Sequence, residues 1–445
     1  MIPQVIHIGG EHTVTGSCHL LSCQDLNIMV DCGTAQGSAT PLPIAEWPVK
    51  PAEINYLFVT HVHIDHIGRL PELISAGFQG EILCSLPSKA LLRPMLEDSL
   101  RFEEYGKHQA DSLLTSIAAM TRGFEYGRRF KLQNGVEFKL GRAGHILGSC
   151  FIHLFFPGTP SAMPGNSCYS IIFSGDLGSK NTPLLPDPDP PGNCDLLFLE
   201  STYGDRLHHD REQRLEKLGL VLRQALSDKG KVFIPAFALG RTQEILYEIA
   251  RLKSKTNNSS GELANIPVFI DSPLGLKITA IYSSLSQFWD YEARRLLAAG
   301  DDPIDFANLY SSAGFQDHKK LLEIPGPAII IAGSGMCTGG RILDHLAAGL
   351  SDPRNDLLFV GYQAKNTLGR ALVDQSETNG HGSVTIDVRK IPVKAKIHVM
   401  PGYSAHADQL GLVEWVRSMP QPPNEIRLVH GEESARRELW KKLSS

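Results

Sequence analysis

The chain has 445 residues, 42% hydrophobic and 20% charged, which is the make-up of a globular protein with room for two or three domains and excludes a disordered chain. Its 43 basic and 48 acidic residues leave a net charge of −5, which excludes an overall cationic coat for nucleic acid while permitting a local basic groove. Eight dispersed cysteines form no C-x-x-C pair and fit a reduced, cytoplasmic setting. No basic leader region and no window of ~20 apolar residues is present, so neither a signal peptide nor a membrane helix is expected.

In chain order, residues 1 to about 204 read as short strands with helices between them. Strands are expected at Gln4–Ile8, His19–Ser22, Asn27–Asp31, Tyr56–Thr60, Glu137–Leu140, Cys150–Phe156 and Tyr169–Ser174. Helices are expected at Pro71–Ala76 and as one long stretch around Ser88–Thr121, with an exposed loop at Pro157–Asn166 and an extended one at Thr182–Asp195. From about 205 to 365 strand and helix alternate. Helices Glu212–Ser227, Arg241–Leu252, Leu274–Phe288 and Arg341–Leu350 lie between strands Lys231–Ile234, Pro267–Ile270, Ala328–Ile331 and Leu357–Val360. Such alternation implies right-handed crossovers and a parallel sheet. The tail, 366–445, adds strands near Val384–Asp387, Ala395–Val399 and Arg427–Leu428, and helices near Gln409–Arg417 and Ser434–Lys442.

The densest chemical signal is Thr60-His61-Val62-His63-Ile64-Asp65-His66-Ile67-Gly68. Alternate residues of an extended segment point the same way, so His61 and His63 can share one metal. Asp65 and His66 follow where the chain turns and can reach a second. Nitrogen and oxygen donors without thiolate suit zinc. Packing four such groups together costs repulsion and desolvation unless a cation compensates.

Six further segments add candidates. His145 lies in Gly144-His145-Ile146-Leu147-Gly148. Asp176 ends an apolar strand in Phe173-Ser174-Gly175-Asp176, where it reads either as a bridge between two cations or as a turn or cap residue. His430 stands at a strand end in Leu428-Val429-His430-Gly431-Glu432. Glu200, in Phe198-Leu199-Glu200-Ser201-Thr202-Tyr203-Gly204, and His406, in Tyr403-Ser404-Ala405-His406-Ala407-Asp408, read either as an acid pair or as a structural salt bridge. A carboxylate beside an imidazole keeps the ring protonated, as a general acid requires. The glycine-rich run Gly333-Ser334-Gly335-Met336-Cys337-Thr338-Gly339-Gly340 can present backbone N–H groups to an anion at a helix start, so Ser334, Gly335 and Met336 are candidate phosphate contacts, and Ser404, two residues before His406, could donate to a phosphate oxygen. A tight strand-to-helix turn explains the same run.

Together, HVHIDHIG, GHILGS, SGDLG, ESTYG, GSGM, GYSAHAD and LVHGE resemble the metallo-β-lactamase superfamily, specifically its β-CASP branch, from about residue 8 to about residue 432. The resemblance implies an α/β fold: an αββα sandwich (1–204 and 366–445) interrupted by a β-CASP α/β domain (205–365) with a mostly parallel sheet, the insertion capping the active site. It implies two Zn2+ ions, one on His61, His63 and His145, the other on Asp65, His66 and His430, bridged by Asp176. Asp31 would support the site from behind. The catalytic groups would be Asp65, Glu200 and His406. The implied activity is hydrolysis of RNA phosphodiester bonds by endonuclease and/or 5′-exonuclease action. His430 points to RNA, because branch members acting on DNA have Val at that position. The alternatives are a DNA-directed nuclease of this branch and a non-catalytic RNA-binding scaffold. The sequence leaves open homo-oligomerisation and RNA-processing partner proteins, and no membrane association is expected.

Overall fold

The computed structural model describes residues 2–444 apart from 24, 36–39, 103–104, 164–166, 210, 257–262 and 378–381. Residues 164–166 of the loop expected at Pro157–Asn166 therefore lie outside the described residues. Contacts divide the chain into two compact units, Met1–Leu207 with His406–Ser445, and His208–Ala405.

The first unit holds two six-stranded sheets. In one, the spatial order is Gln4–Gly9, Cys18–Cys23, Leu26–Val30, Tyr56–Phe58, Glu81–Ser85 and Thr121–Phe124. The first three strands run antiparallel and the later pairs parallel. In the other, the order is Glu425–Val429, Leu196–Glu200, Tyr169–Phe173, Cys150–Phe156, Glu137–Arg142 and Arg129–Lys131. Its first three strands are parallel to one another.

Side-chain alternation explains the layers. Ile171 and Phe173 face inward with Phe198, Phe138 and Ile152, and meet Leu21, Ile28, Val30 and Phe58 of the other sheet in one core. Phe58 and Phe138 join the sheets edge to face, 4.9 Å between centroids. Ile172, Leu197 and Leu199 point the other way. They pack against Leu412, Trp415 and Val416 of helix Gln409–Arg417 and Leu439 of helix Glu433–Leu443. Helices Leu86–Ser99 and Lys107–Met120 cover the first sheet near Glu81–Ser85 and Thr121–Phe124, completing αββα. The sequence reading has a single helix from Ser88 to Thr121. The structure breaks it after a 3-10 turn at Leu100–Phe102 and restarts it from Gly106, whose backbone is extended. The helix start is fixed by Ser85, whose hydroxyl accepts from the Ser88 N–H.

The second unit is a parallel six-stranded sheet in the order Leu309–Ser311, Val268–Asp271, Ala328–Ala332, Lys231–Pro235, Asp356–Phe359 and Lys396–Val399. An antiparallel hairpin, Ser383–Ile386 with Arg389–Pro392, sits beside it. The segment 366–405, grouped with the C-terminal tail in the sequence reading, packs here. Leu372, Val373, Val384, Ile386 and Val393 share a core with Phe233, Ile330, Leu357 and Phe359. Helices Tyr291–Ala298, Phe315–Glu323 and Leu368–Glu377 are absent from the sequence reading. Among the described residues, no helix is long and apolar enough to cross a membrane.

Candidate metal centre

The chemistry of the first unit gathers where strands end. Asp31 follows Leu26–Val30, His61 comes three residues after Tyr56–Phe58, and Asp176 comes three after Tyr169–Phe173. Glu200 closes Leu196–Glu200, and His430 follows Glu425–Val429. Parallel pairing brings these ends to one edge of the sandwich. The turns are locked by backbone bonds: Asp31 N–H donates to the Phe58 carbonyl at 2.8 Å, Cys150 N–H to Thr60 at 2.8 Å and Ser174 N–H to Phe198 at 2.9 Å. Asp31 and His430 hold left-handed backbone, with φ of 60° and 54°. Such conformations are unusual outside glycine and cluster at functional sites.

Two nests of side chains result. In the first, His61 Nε2 lies 3.1 Å and His145 Nε2 3.2 Å from His63 Nδ1. Asp176 Oδ2 lies 3.5 Å from His61 Nε2 and 3.7 Å from His145 Nε2. In the second, Asp65 Oδ2 lies 3.6 Å from His430 Nε2 and 3.8 Å from His66 Nε2. Asp176 Oδ1 lies 3.4 Å from His66 Nε2 and 3.5 Å from His430 Nδ1. The two oxygens of Asp176 thus face different nests.

Electrostatics separates the two nests. Burial lowers His61, His63 and His145, the His63 ring to about 4, so these imidazoles are neutral and offer lone pairs. Burial acts on His66 and His430 too, but Asp176 with Asp31 and Asp65 outweighs it at His66, and Asp176 with Asp65 at His430, raising both. Burial opposes ionisation of Asp176 and Asp65. The surrounding imidazoles overcome it, and both carboxyls lie below their ordinary range.

The residues fit a metal. His66 Nε2, His430 Nε2 and Asp176 Oδ1 are buried without a hydrogen-bond partner, a costly state that a cation relieves. The donors are imidazole nitrogens and carboxylate oxygens whose tips converge in two groups. Asp31 supports the arrangement. Its Oδ2 accepts from His66 Nδ1 at 2.7 Å and from Ser17 Oγ at 3.1 Å, and its Oδ1 accepts from the Thr60 N–H at 2.8 Å. That fixes which ring nitrogen of His66 faces the nest.

Glu200 and His406 form a third group with Asp176. His406 Nδ1 lies 3.2 Å from Glu200 Oε1, and its Nε2 lies 3.8 Å from Asp176 Oδ2. Glu200 is itself held by the N–H groups of Leu177 at 2.7 Å and Thr202 at 3.2 Å. His406 is placed by its backbone, whose carbonyl accepts from Ser179 Oγ at 2.7 Å. Burial pulls the His406 ring down, but Glu200 and then Asp176 overcome it, and its pKa is raised to about 9.

Of the residues singled out in sequence, Asp31, His61, His63, Asp65, His66, His145, Asp176, Glu200, His406 and His430 come together in the first unit. Ser334, Gly335, Met336 and Ser404 lie in the second unit. Ser334 Oγ accepts from the Thr338 N–H at 2.9 Å, closing the glycine-rich turn, and the Ser404 carbonyl accepts from Arg211 at 2.7 Å. Sequence reasoning misses Ser17 and Thr202, whose hydroxyl lies 3.1 Å from His430 Nδ1. It also misses a buried network in the second unit. There Asp271 Oδ2 accepts from His318 Nδ1 and His345 Nε2, each at 2.6 Å, while Oδ1 accepts from Arg341 at 2.7 Å. The available signal was a carboxylate closing an apolar strand in Val268-Phe269-Ile270-Asp271, the pattern that marks Asp176.

An αββα sandwich with imidazoles and carboxylates converging at one edge defines a metallohydrolase. Family models agree: the metallo-beta-lactamase superfamily matches residues 14–235, the Beta-Casp domain 242–372, and the Zn-dependent metallo-hydrolase RNA specificity domain 390–445. Ribonuclease TTHA0252 of Thermus thermophilus is 34% identical over 444 residues, covering 99% of this chain and 96% of that protein. Transcription termination factor FttA of Methanocaldococcus jannaschii is 28% identical, with 97% and 67% covered. Cleavage and polyadenylation specificity factor 73 of Drosophila melanogaster is 29% identical, with 97% and 60% covered. A crystal structure of a protein of unknown function from Enterococcus faecalis V583 shares the fold at 12% identity, with a TM-score of 0.53 over 96% of this chain and 93% of that one. The chain belongs to the metallo-β-lactamase superfamily, in its β-CASP branch. Members of this superfamily bind metal ions, and the clusters above are suited to hold them.

Proposed function

We propose that this protein is a zinc-dependent ribonuclease that hydrolyses RNA phosphodiester bonds, by endonuclease and/or 5′-exonuclease action, at a dinuclear centre. The observation that carries the reading is Asp176, whose two oxygens face separate sets of imidazoles. His61, His63 and His145 would hold one ion, and Asp65, His66 and His430 the other, with Asp176 between them. Ions bound there would supply Lewis-acid activation of water and neutralise charge on the phosphodiester.

The chain's own groups account for the rest. Glu200 orients His406 and keeps it cationic, so that the ring delivers a proton to the departing oxygen. Asp31 holds the His66 ring in one tautomer. Ser334, Gly335 and Met336 are assigned to substrate phosphates on the strength of the glycine-rich turn before helix Ile342–Gly349, and Ser404 on its place two residues before His406. RNA is favoured over DNA by His430, by the match to an RNA specificity domain and by relatives named as a ribonuclease and a cleavage and polyadenylation specificity factor. Eight free thiols fit a reducing cytoplasm.

The test is metal analysis of the purified chain, followed by digestion of end-labelled RNA and DNA of one sequence, with and without a 5′-phosphate. Two zinc ions per chain and cleavage of RNA are expected. Cleavage of DNA alone, or tight RNA binding without cleavage by metal-replete protein, overturns the reading.

A further inference from the structure

In the second unit, strand Lys231–Pro235 leads into helix Arg241–Thr256 and crosses to Val268–Asp271 on one side. Its neighbour Ala328–Ala332 leads into helix Ile342–Gly349 and crosses the opposite way, to Asp356–Phe359. Right-handed crossovers in opposite senses put the two helices on opposite faces of the sheet. Helix Ile342–Gly349 indeed shares a core with Phe233 and Leu357, whereas Arg241–Thr256 packs with helices Arg214–Leu226 and Pro273–Ser284. Between two such strands the turns part and leave a crevice at the carboxyl ends, where parallel sheets take their ligands.

The residues at this crevice are not those of a plain turn. Phe237, just past Lys231–Pro235, leaves 45% of its surface exposed, and Tyr362, just past Asp356–Phe359, leaves 55%. Neither is on a loose loop. The Phe237 carbonyl accepts from Thr242 Oγ1 at 2.8 Å and from its N–H at 3.2 Å, and the Ala236 N–H donates to Ala332 at 3.0 Å. The Phe237 ring lies on Gly335, where an added Cβ would sit 2.9 Å from Cδ2. On the other flank Gln363 Nε2 donates to the Gly335 carbonyl at 3.0 Å and to Gly361 at 3.2 Å, pinning the backbone on both sides of Tyr362. Lys365 is exposed three residues further on. Gln363 Oε1 is buried there without a partner.

Two rigidly mounted, solvent-facing aromatic rings beside a glycine-rich turn match the way single-stranded nucleic acid is held, with bases on aromatic faces and phosphates against backbone N–H groups and cations. We propose that Phe237 and Tyr362 form a nucleobase-stacking subsite of the second unit, flanking the Gly333–Gly340 turn, that grips single-stranded RNA irrespective of sequence. This rests on the ribonuclease reading for the identity of the ligand, but the subsite is separate from the metal centre.

The experiment measures equilibrium binding of a labelled single-stranded RNA of about 12 nucleotides, and of the same backbone without bases, to the full chain. Fluorescence anisotropy is used under chelation, so that turnover does not intrude, and circular dichroism checks the fold. Wild type is expected to prefer the intact RNA. Phe237→Ala and Tyr362→Ala are each expected to weaken it by about 5–150-fold, the range for one lost base–aromatic stack, while binding of the abasic strand stays unchanged. Phe237→Trp and Tyr362→Phe are expected to bind as wild type does. Equal binding of intact and abasic strands by wild type, or intact-RNA binding unchanged in both alanine variants, overturns the proposal. An inactive wild type that still prefers intact RNA supports the subsite even as it sinks the ribonuclease reading.

Discussion

Replacing Asp271 by asparagine keeps the shape of a buried side chain and removes its charge. In the wild type one oxygen serves two imidazoles and the other serves Arg341. An amide has a single acceptor oxygen. If it faces His318 and His345, its NH2 confronts the Arg341 guanidinium. If it faces Arg341, its NH2 confronts two rings at hydrogen-bond distance. Removing one partner of a buried ion pair costs about 3–5 kcal/mol. Arg341 keeps the carbonyls of Ser312 at 2.7 Å and Ala313 at 3.0 Å, which puts the expected cost near the lower end. At roughly 2–4 °C per kcal/mol for a unit of 150–250 residues, the second unit should melt about 6–12 °C lower. Burial works against the Asp271 charge, but His345, His318 and Arg341 outweigh it and hold the carboxyl below its ordinary range. The contribution is therefore complete above the ordinary pKa of ~3.9 and is lost as pH falls through the depressed value. Calorimetry from pH 7 downward should find the gap between wild type and variant persisting to about pH 4 and closing below it. Asp344, which faces His318 from the half-exposed end of the network, serves as control: Asp344→Ala should cost only ~0–1 kcal/mol. An Asp271→Asn protein that melts with the wild type refutes the assignment of this network as a keystone of the second unit.

Four other outcomes follow from the geometry. If His406 is the proton carrier proposed above, His406→Ala should keep its metal and lose ~10²–10⁴-fold in turnover; metal content and single-turnover rates check this. Asp176→Ala should lose metal, read by elemental analysis, since one carboxylate serves both nests. Asp31→Asn should weaken metal affinity by ~10–100-fold in chelator competition, through the freed His66 ring. His153, buried with Nε2 unpartnered, has its pKa lowered by burial to about 3, so its stability contribution is full above ~6.5 and is lost as pH falls from there to about 3. His153→Leu should remove that loss and gain on the wild type by up to ~1.4 kcal/mol per pH unit in acid denaturation curves.

The parallel sheet was legible because strand–helix alternation leaves short-range marks, as across Lys231–Ile331, and single strands such as Cys150–Phe156 were legible as apolar runs, whereas the αββα sandwich was implied only by the motifs' family resemblance. Candidate ligands were legible because His61 to His66 lie within six residues after an apolar run. The supporting contacts were not. Ser17 meets Asp31 and Thr202 meets His430 across a fold whose pairing the one-dimensional pattern does not encode. The Asp271 network draws on residues 47 and 74 positions apart, set in otherwise ordinary helices. The break before Lys107 sits in a run with helical composition on both sides, so only packing against two strands reveals it. The extent of the second unit was obscured because strand Lys396–Val399 inserts beside Asp356–Phe359 after an intervening hairpin.

Among the described residues, strand Glu425–Val429 pairs only with Leu196–Glu200, laid down more than 200 residues earlier, and it delivers His430. During synthesis the sandwich therefore waits with an open margin and a half-built nest while the whole second unit emerges from the ribosome. The group of Asp65 and His66 thus gains its third donor only after the chain has been made through His430.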